Sequence, residues 1–386
     1  MNIGIPFEEN IYENRVSISP YGVHVLRKQN HKIYITVDSG IKSGYSNEDY
    51  KKNGAIIVQS NQELYERSDL VIKVNPPENS EIKYLKEKQI IFAFYNFFTN
   101  PTLLDVLSKK KITAIAYELI RVNGQYPIVS SMSRIAGKLS FSIASEILSK
   151  PNSGKGLLLG GSPSASRSKI VVIGGGNAGM ELVRLGVSAG SRVSVFDTDV
   201  EKLNKINHEY PSVETFMPYH ELLIKQLQNA DVVLGATSAF KRKVPKIISN
   251  EMLKMMEPRS VLIDLTTSSG GISESTRLTN LGEPIYLANE IFHYCVPNIA
   301  ATVPKTASNA LTTNILKYIV KVADGYLNDS DELLEAICIK DGKISNFLSV
   351  NNNEFKQKQI KDLIKVDDED EDEDGINWKS IKDKRE

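Results

Sequence analysis

The segment Lys169-Ile-Val-Val-Ile-Gly174-Gly175-Gly176-Asn177-Ala178-Gly179-Met180 constrains this 386-residue chain more than any other. An apolar run ends in a glycine-rich turn, and a helical pattern follows at once. Gly174 suits the tight turn out of a strand, Gly176 lets backbone approach a pyrophosphate, and Gly179 permits close packing of helix on strand. The N–H groups of the helix start then face the phosphates. A second apolar run, Val193 to Phe196, leads into Asp197, 23 positions after Gly174. An acid there accepts hydrogen bonds from a ribose 2′-hydroxyl and repels a 2′-phosphate, which favours NAD over NADP. Arg192 and Lys202 are near in sequence but not where a phosphate clamp is usually found. The glycines by themselves also suit FAD or S-adenosylmethionine.

Around this motif the chain reads as alternating strands and helices. Ile33 to Val37, Ala55 to Val58, Leu70 to Val74, Ile90 to Phe94 and Ile112 to Ala116 are strand-like, with a helix over Thr102 to Ser108. A helix over Ser133 to Leu148 leads into a polar stretch from Asn152 to Ser168. A second series follows, with strands at Ile170 to Ile173, Val193 to Phe196, Asp231 to Leu234, Val261 to Asp264 and Ile285 to Leu287. These spacings suit consecutive βα units. After Pro304 the chain turns helical, over Ala310 to Ala323, and is expected to pack back on the first unit.

The predicted fold is therefore α/β: two Rossmann-like domains, each a mostly parallel sheet with helices on both faces. A substrate domain spans 1–130, completed by about 300–350, and an NAD-binding domain spans 131–299. Beyond 351 lies an acidic tail, expected to be disordered because it cannot bury apolar surface.

Composition removes other classes. Apolar residues make up 41% of the chain, enough for real cores. Net charge is zero only because eight consecutive acids, Asp367 to Asp374, offset a positive excess spread along the rest. That excess forms no basic stripe with interleaved aromatics, so no nucleic-acid partner is expected. No apolar run approaches the ~20 residues needed to span a bilayer, and the N-terminus lacks a signal-peptide pattern. Cys295 and Cys338 lack metal or redox spacing, which fits a reducing compartment. A cytoplasmic location is expected.

Several segments resemble one family. Ile3-Gly-Ile-Pro6 with Arg15-Val16, Gly40 to Tyr50, Met132 to Gly137, Gly156 to Gly161, Tyr294 to Asn298 and Val303 to Thr306 are similar, in this order, to alanine dehydrogenases. That family also includes the NAD-binding component of proton-translocating transhydrogenase. The resemblance covers residues 1 to about 325. It implies that Arg15 holds a substrate carboxylate and that Lys73 meets the substrate carbonyl. Both residue types suit these roles, since guanidinium matches a carboxylate as a planar fork and an ammonium polarises a keto oxygen. If burial lowers its pKa, Lys73 would itself relay a proton.

The resemblance places Ser133, Asn177, Ala178, Ala236 and Asn298 with Gly174, Gly176, Gly179 and Asp197 at the cofactor. Where the family carries a titrating histidine this chain has Asn96, and where it carries an aspartate this chain has Ser268. Neither does acid–base work near neutral pH. The expected function is NAD-dependent oxidation or reduction of an amino acid, keto acid or derived imine, by a homo-oligomer (dimer or hexamer). A non-catalytic NAD(H)-binding protein that recruits partners through its acidic tail and Trp378 is the alternative.

Overall fold

The computed structural model describes residues 1–97, 101–237 and 243–345. The acidic run and Trp378 lie outside the described residues.

The first sheet opens with β1 (Asn2–Ile5), α1 (Pro20–Lys28), β2 (Lys32–Thr36), α2 (Asn47–Lys52), β3 (Ile56–Val58) and α3 (Asn61–Arg67). It continues through β4 (Leu70–Ile72), β5 (Ile90–Ala93), α4 (Pro101–Lys109) and β6 (Thr113–Ala116). These six strands are all parallel. Both faces are covered, so the strands carry unbroken apolar runs: Leu70 and Ile72 enter one core while Val71 enters the other.

Helix α5 (Pro127–Leu148) then leads to the second sheet, with β7 (Lys169–Ile173), α6 (Asn177–Ala189), β8 (Arg192–Phe196), α7 (Val200–Glu209) and β9 (Glu214–Phe216). It continues with α8 (His220–Leu227), β10 (Val232–Gly235), α9 (Asn250–Lys254), β11 (Val261–Asp264), β12 (Ile285–Ala288) and β13 (Ile291–Tyr294). The chain returns through α10 (Pro304–Ala323) and α11 (Asp331–Leu334) to β14 (Ile337–Lys340) and β15 (Lys343–Ile344). Leu311, Ile315, Tyr318 and Ile319 of α10 sit in the same core as Ile3, Ile5 and Val16, as the sequence predicts. β14 pairs antiparallel with β6.

The strand orders are β15-β14-β6-β5-β4-β1-β2-β3 and β12-β13-β11-β10-β7-β8-β9. Each sheet reverses direction beside its first strand, between β1 and β4 and between β7 and β10. Loops leaving such a reversal part to either side and open a crevice at the strands' carboxyl ends.

Three expectations need correction. Ile285 to Leu287 is not a further βα unit but the first arm of a hairpin, antiparallel to β13. Its turn residues, Asn289 and Glu290, both have positive φ (49° and 61°), the geometry of a tight two-residue hairpin. Glutamate rarely signals that turn, so the pattern hid it. Helix α5 starts six residues before Ser133, at Pro127, and α10 starts at Pro304 rather than Ala310. Both begin on a proline, whose fixed φ and missing N–H suit the first helical turn. Among the described residues no helix is long and apolar enough to cross a membrane.

Candidate active site and cofactor cradle

At the reversal of the first sheet, the loop after β1 brings Glu8 against Lys73, the residue that follows β4, and the Glu13–Arg15 pair against Asn75 two positions on. Lys73 is 0% exposed, with its Nζ 3.1 Å from Glu81 and 3.4 Å from Glu8. Glu81 also accepts from the Tyr65 hydroxyl (3.0 Å) and the Glu78 N–H (2.9 Å). Glu8 accepts from the Val74 N–H at 2.6 Å. Arg15 gives Nε and Nη2 to Glu13 as a two-pronged fork (2.7 and 2.6 Å). Its Nη1 meets the Met132 thioether at 3.6 Å, a weak acceptor. Asn75 donates to Glu13 at 3.0 Å.

The cluster thus buries three carboxyl groups and two cations. Burial costs a charge dearly unless it is paired, and fully ionised the set carries one negative charge too many. Burial pushes Glu8 up to about 7, against the pull of Lys73. Burial alone would raise Glu13 as well, but the charge and hydrogen bonds of Arg15 hold it below the usual carboxylate range. The condition for a relay through a lowered Lys73 is not met, since its amine lies above the ordinary value. Burial does act downward, yet the Glu8 and Glu81 carboxylates outweigh it and the amine is held above its ordinary value.

Asn96 follows β5 with φ 47°, its side chain exposed. Its N–H and that of Tyr95 donate to Glu118 at 2.7 and 3.0 Å. Burial raises Glu118 to about 7. Ser268 is exposed on the short turn Thr267–Ser269 after β11. Asp264, 0% exposed at the end of β11, ties that turn down. One oxygen accepts from the Thr266 N–H and hydroxyl (2.9 and 2.6 Å), the other from Ile272 N–H and the Thr276 hydroxyl (2.8 Å each). Glu8, Glu13, Glu81, Glu118 and Asp264 all escaped the sequence reading. The one available signal was an acid next to or inside an apolar run, as with Asp264.

In the second sheet the glycines divide by role. A Cβ on Gly174 (φ 106°) would lie 2.6 Å from the Ala236 carbonyl, and one on Gly179 would lie 2.0 Å from the Gly174 oxygen. Those two positions are closed by packing. Around Gly176 nothing lies within 4 Å of a Cβ, so the open space is of the kind a ligand fills. Gly176 also precedes α6 with no side chain capping the helix N–H groups. Asp197 stands at the end of β8, accepting from Gly175 N–H (2.8 Å) and Asp199 N–H (2.9 Å), with Lys202 at 3.7 Å. These features fit NAD: an open glycine, uncapped N–H groups for phosphate, and an acid beside the turn.

Helix α5 joins the two regions. Met132 touches Arg15, while Ser130 accepts from the Asn177 side chain at 3.0 Å. A Cβ on Gly137 would lie 2.1 Å from the Ala178 carbonyl, so α5 and the start of α6 are in close contact. Ser133 lies between these contacts, half-buried. Asn298 has φ 56° and accepts from Ala301 N–H, and the Ala301 carbonyl in turn accepts from Asn14, next to Arg15. Ala236 follows β10 and bonds back to Ile173 of β7 (2.8 Å). The Arg15 cluster and the glycine turn therefore share one helix and one loop, while Asn96 follows β5 and Ser268 lies on the turn after β11.

Known proteins support the same grouping. The profile of the alanine dehydrogenase/PNT N-terminal domain matches residues 4–136, and that of its C-terminal domain matches residues 140–347. An alanine dehydrogenase of Methanococcus maripaludis is 34% identical over 352 residues, covering 89% of this chain and 94% of the relative. A solved L-alanine dehydrogenase superposes with a TM-score of 0.87 at 30% identity, covering 92% of this chain and 99% of the other. A transhydrogenase from Sinorhizobium meliloti shares the fold, with a TM-score of 0.77 at 20% identity over 89% of this chain and 98% of the other. Alanine dehydrogenase homologues use NAD, the cofactor the cradle fits. On its matched domains, its identity to relatives and its fold, this chain belongs to the alanine dehydrogenase/PNT family.

Proposed function

We propose that the protein is an NAD-dependent oxidoreductase that acts by hydride transfer on an amino acid, a 2-keto acid or a derived imine, oxidising C–N to C=N or reducing it back. The observation that carries this is the contact of α5 with both the Arg15 guanidinium and the glycine turn. When bound, NAD supplies the acceptor for the hydride that leaves the substrate carbon. Gly176 and the N–H groups of α6 would hold its pyrophosphate, and Asp197 its ribose.

Arg15 already spends two donors on Glu13, which fixes the guanidinium plane and leaves Nη1 for a substrate carboxylate. Lys73, kept as an ammonium, donates to the reacting nitrogen or oxygen. Asn96 and Ser268 add hydrogen bonds without titrating. This favours a divergent substrate or proton route over unchanged alanine chemistry, and a substrate arriving as an imine needs no group to handle ammonia.

The test is reduced-cofactor absorbance with NAD and a panel of amino acids, and with NADH plus keto acids with and without amines. Turnover with one acid supports the reading, and its dependence on added amine separates imine reduction from ammonia-dependent amination. NADH binding with no turnover across the panel replaces it with a cofactor-binding protein. In that case truncation at Asn351 should weaken partner capture.

A further inference from the structure

The family resemblance assigns Asn96 and Ser268 to the substrate site, and neither exchanges a proton near neutral pH, while Lys73 is already held as an ammonium. Oxidising an amino acid first requires its ammonium group to lose a proton. We propose that the Glu8 carboxylate takes that proton through Lys73, as the proton reservoir of the substrate site. This inference rests on the oxidoreductase reading.

The geometry separates Glu8 from its neighbours. Glu81 is fully engaged: both oxygens lie within hydrogen-bond range of Lys73, and it also accepts from Tyr65 and Glu78. Glu13 is locked in the Arg15 fork. Glu8 uses one oxygen tightly, on the Val74 N–H at 2.6 Å, while the other has, among the described residues, Asn75 N–H and Lys73, each at 3.4 Å. Protonating that second oxygen gives up the least. It also removes the one excess negative charge of the buried set. The groups that face Glu8 are Lys73, Glu13, Glu81, Arg15, Tyr65 and Tyr117. Burial holds both tyrosines protonated, so neither competes for the proton.

The step balances. An Nζ–H bond breaks and an O–H bond forms on Glu8, and the Lys73 amine so freed takes the proton whose N–H bond breaks in the substrate. Lys73 begins and ends as an ammonium, and Glu8 passes from carboxylate to carboxyl. In the reductive direction the same bonds change in reverse. Glu8 thus acts through Lys73 and does not itself touch substrate.

The test follows the pH profile of amino-acid oxidation by the full chain at saturating NAD. The wild-type rate rises with pH through a limb near neutrality, because Glu8 must be ionised to accept. Glu8→Gln keeps an oxygen for the Val74 N–H but takes no proton. Its rate at pH 7 falls about 100-fold, its limb moves up by about two pH units as Lys73 must deprotonate to solvent, and NADH affinity stays within about twofold of wild type. Glu81→Gln removes a like charge from beside Glu8, so its limb moves down by about one unit. A limb unmoved in both variants overturns the inference, as does a Glu8→Gln rate depressed equally at every pH. If Glu8→Gln fails to fold, Glu81→Gln decides alone, and an unmoved limb overturns the inference. A wild type that binds NADH but turns over no acid overturns the oxidoreductase reading and this inference together. Wild-type turnover with unshifted variants overturns this inference only.

Discussion

The two sheets open crevices by the same reversal of strand order but furnish them with different material. In the second, the crevice offers backbone: glycines, uncapped N–H groups and one aspartate, drawn mostly from a stretch of twelve residues. In the first it is side-chain charge, with two cations and three carboxyl groups gathered from positions 8 to 81 and almost wholly buried. In the backbone cradle the demand for glycine is local: Gly174 and Gly179 are closed by packing, while Gly176 faces open space. A buried charge set must balance itself beforehand, so each functional cation carries an attendant acid. The lesson is that Arg15 and Lys73 cannot be altered without disturbing Glu13, Glu8 and Glu81, whereas the glycine turn can be altered locally.

The largest effect should come from Lys73→Ala. Turnover falls by about 10,000-fold, the upper end of what proton transfer contributes, while NADH affinity barely moves. An equal loss of both would break the division of labour between the sheets. Next comes the second crevice. Gly179→Ala puts a Cβ 2.0 Å from the Gly174 oxygen, and overpacking of this kind costs ~3 kcal/mol, read as a lower melting temperature together with weaker NADH binding. Gly176→Ala meets open space instead. It should melt like wild type yet bind NADH about tenfold more weakly, or ~1.4 kcal/mol. Normal binding by Gly176→Ala would mean that the open space is not where the pyrophosphate lies.

A smaller change is expected from Asp197→Asn. The amide oxygen still accepts from ribose and from Gly175 N–H, but the charge that repels a 2′-phosphate is gone. The NAD-over-NADP ratio, measured by fluorescence titration, should fall about tenfold, and an unchanged ratio would remove Asp197 from cofactor choice. Smallest is a pH effect on stability. Glu118 rises from 4.5 to about 7 in the folded chain, so the folded state binds more protons between those values. The stability it contributes is complete below about pH 4.5 and is lost as pH rises through about 7. Glu118→Gln should flatten the decline in melting temperature from pH 5 to 8, and an unchanged slope would exclude Glu118 as its source.

Much of this was legible along the chain. The strand and helix alternation, the glycine turn, Asp197 and the return of the 304–323 helix to the first core all follow from local periodicity and steric rules, which act between near neighbours. The hairpin at Ile285–Tyr294 was not, because its turn uses Glu290 at positive φ against the usual preference. Nor were the early starts of α5 and α10, where proline opens a helix that the apolar pattern marks only later.

By itself, then, the sequence determined the α/β class, a glycine turn followed by an acid at the next strand's end, and the presence of Arg15 and Lys73. Each of these depends on residue type and short spacing. Only the tertiary structure decided the ionisation of the site. Whether Lys73 loses or keeps its proton depends on which acids the fold brings within about 4 Å, since Coulomb attraction in a buried setting rises steeply as partners close in. Glu8 and Glu81 lie 65 positions before and 8 after Lys73, and no local pattern announces that they meet there.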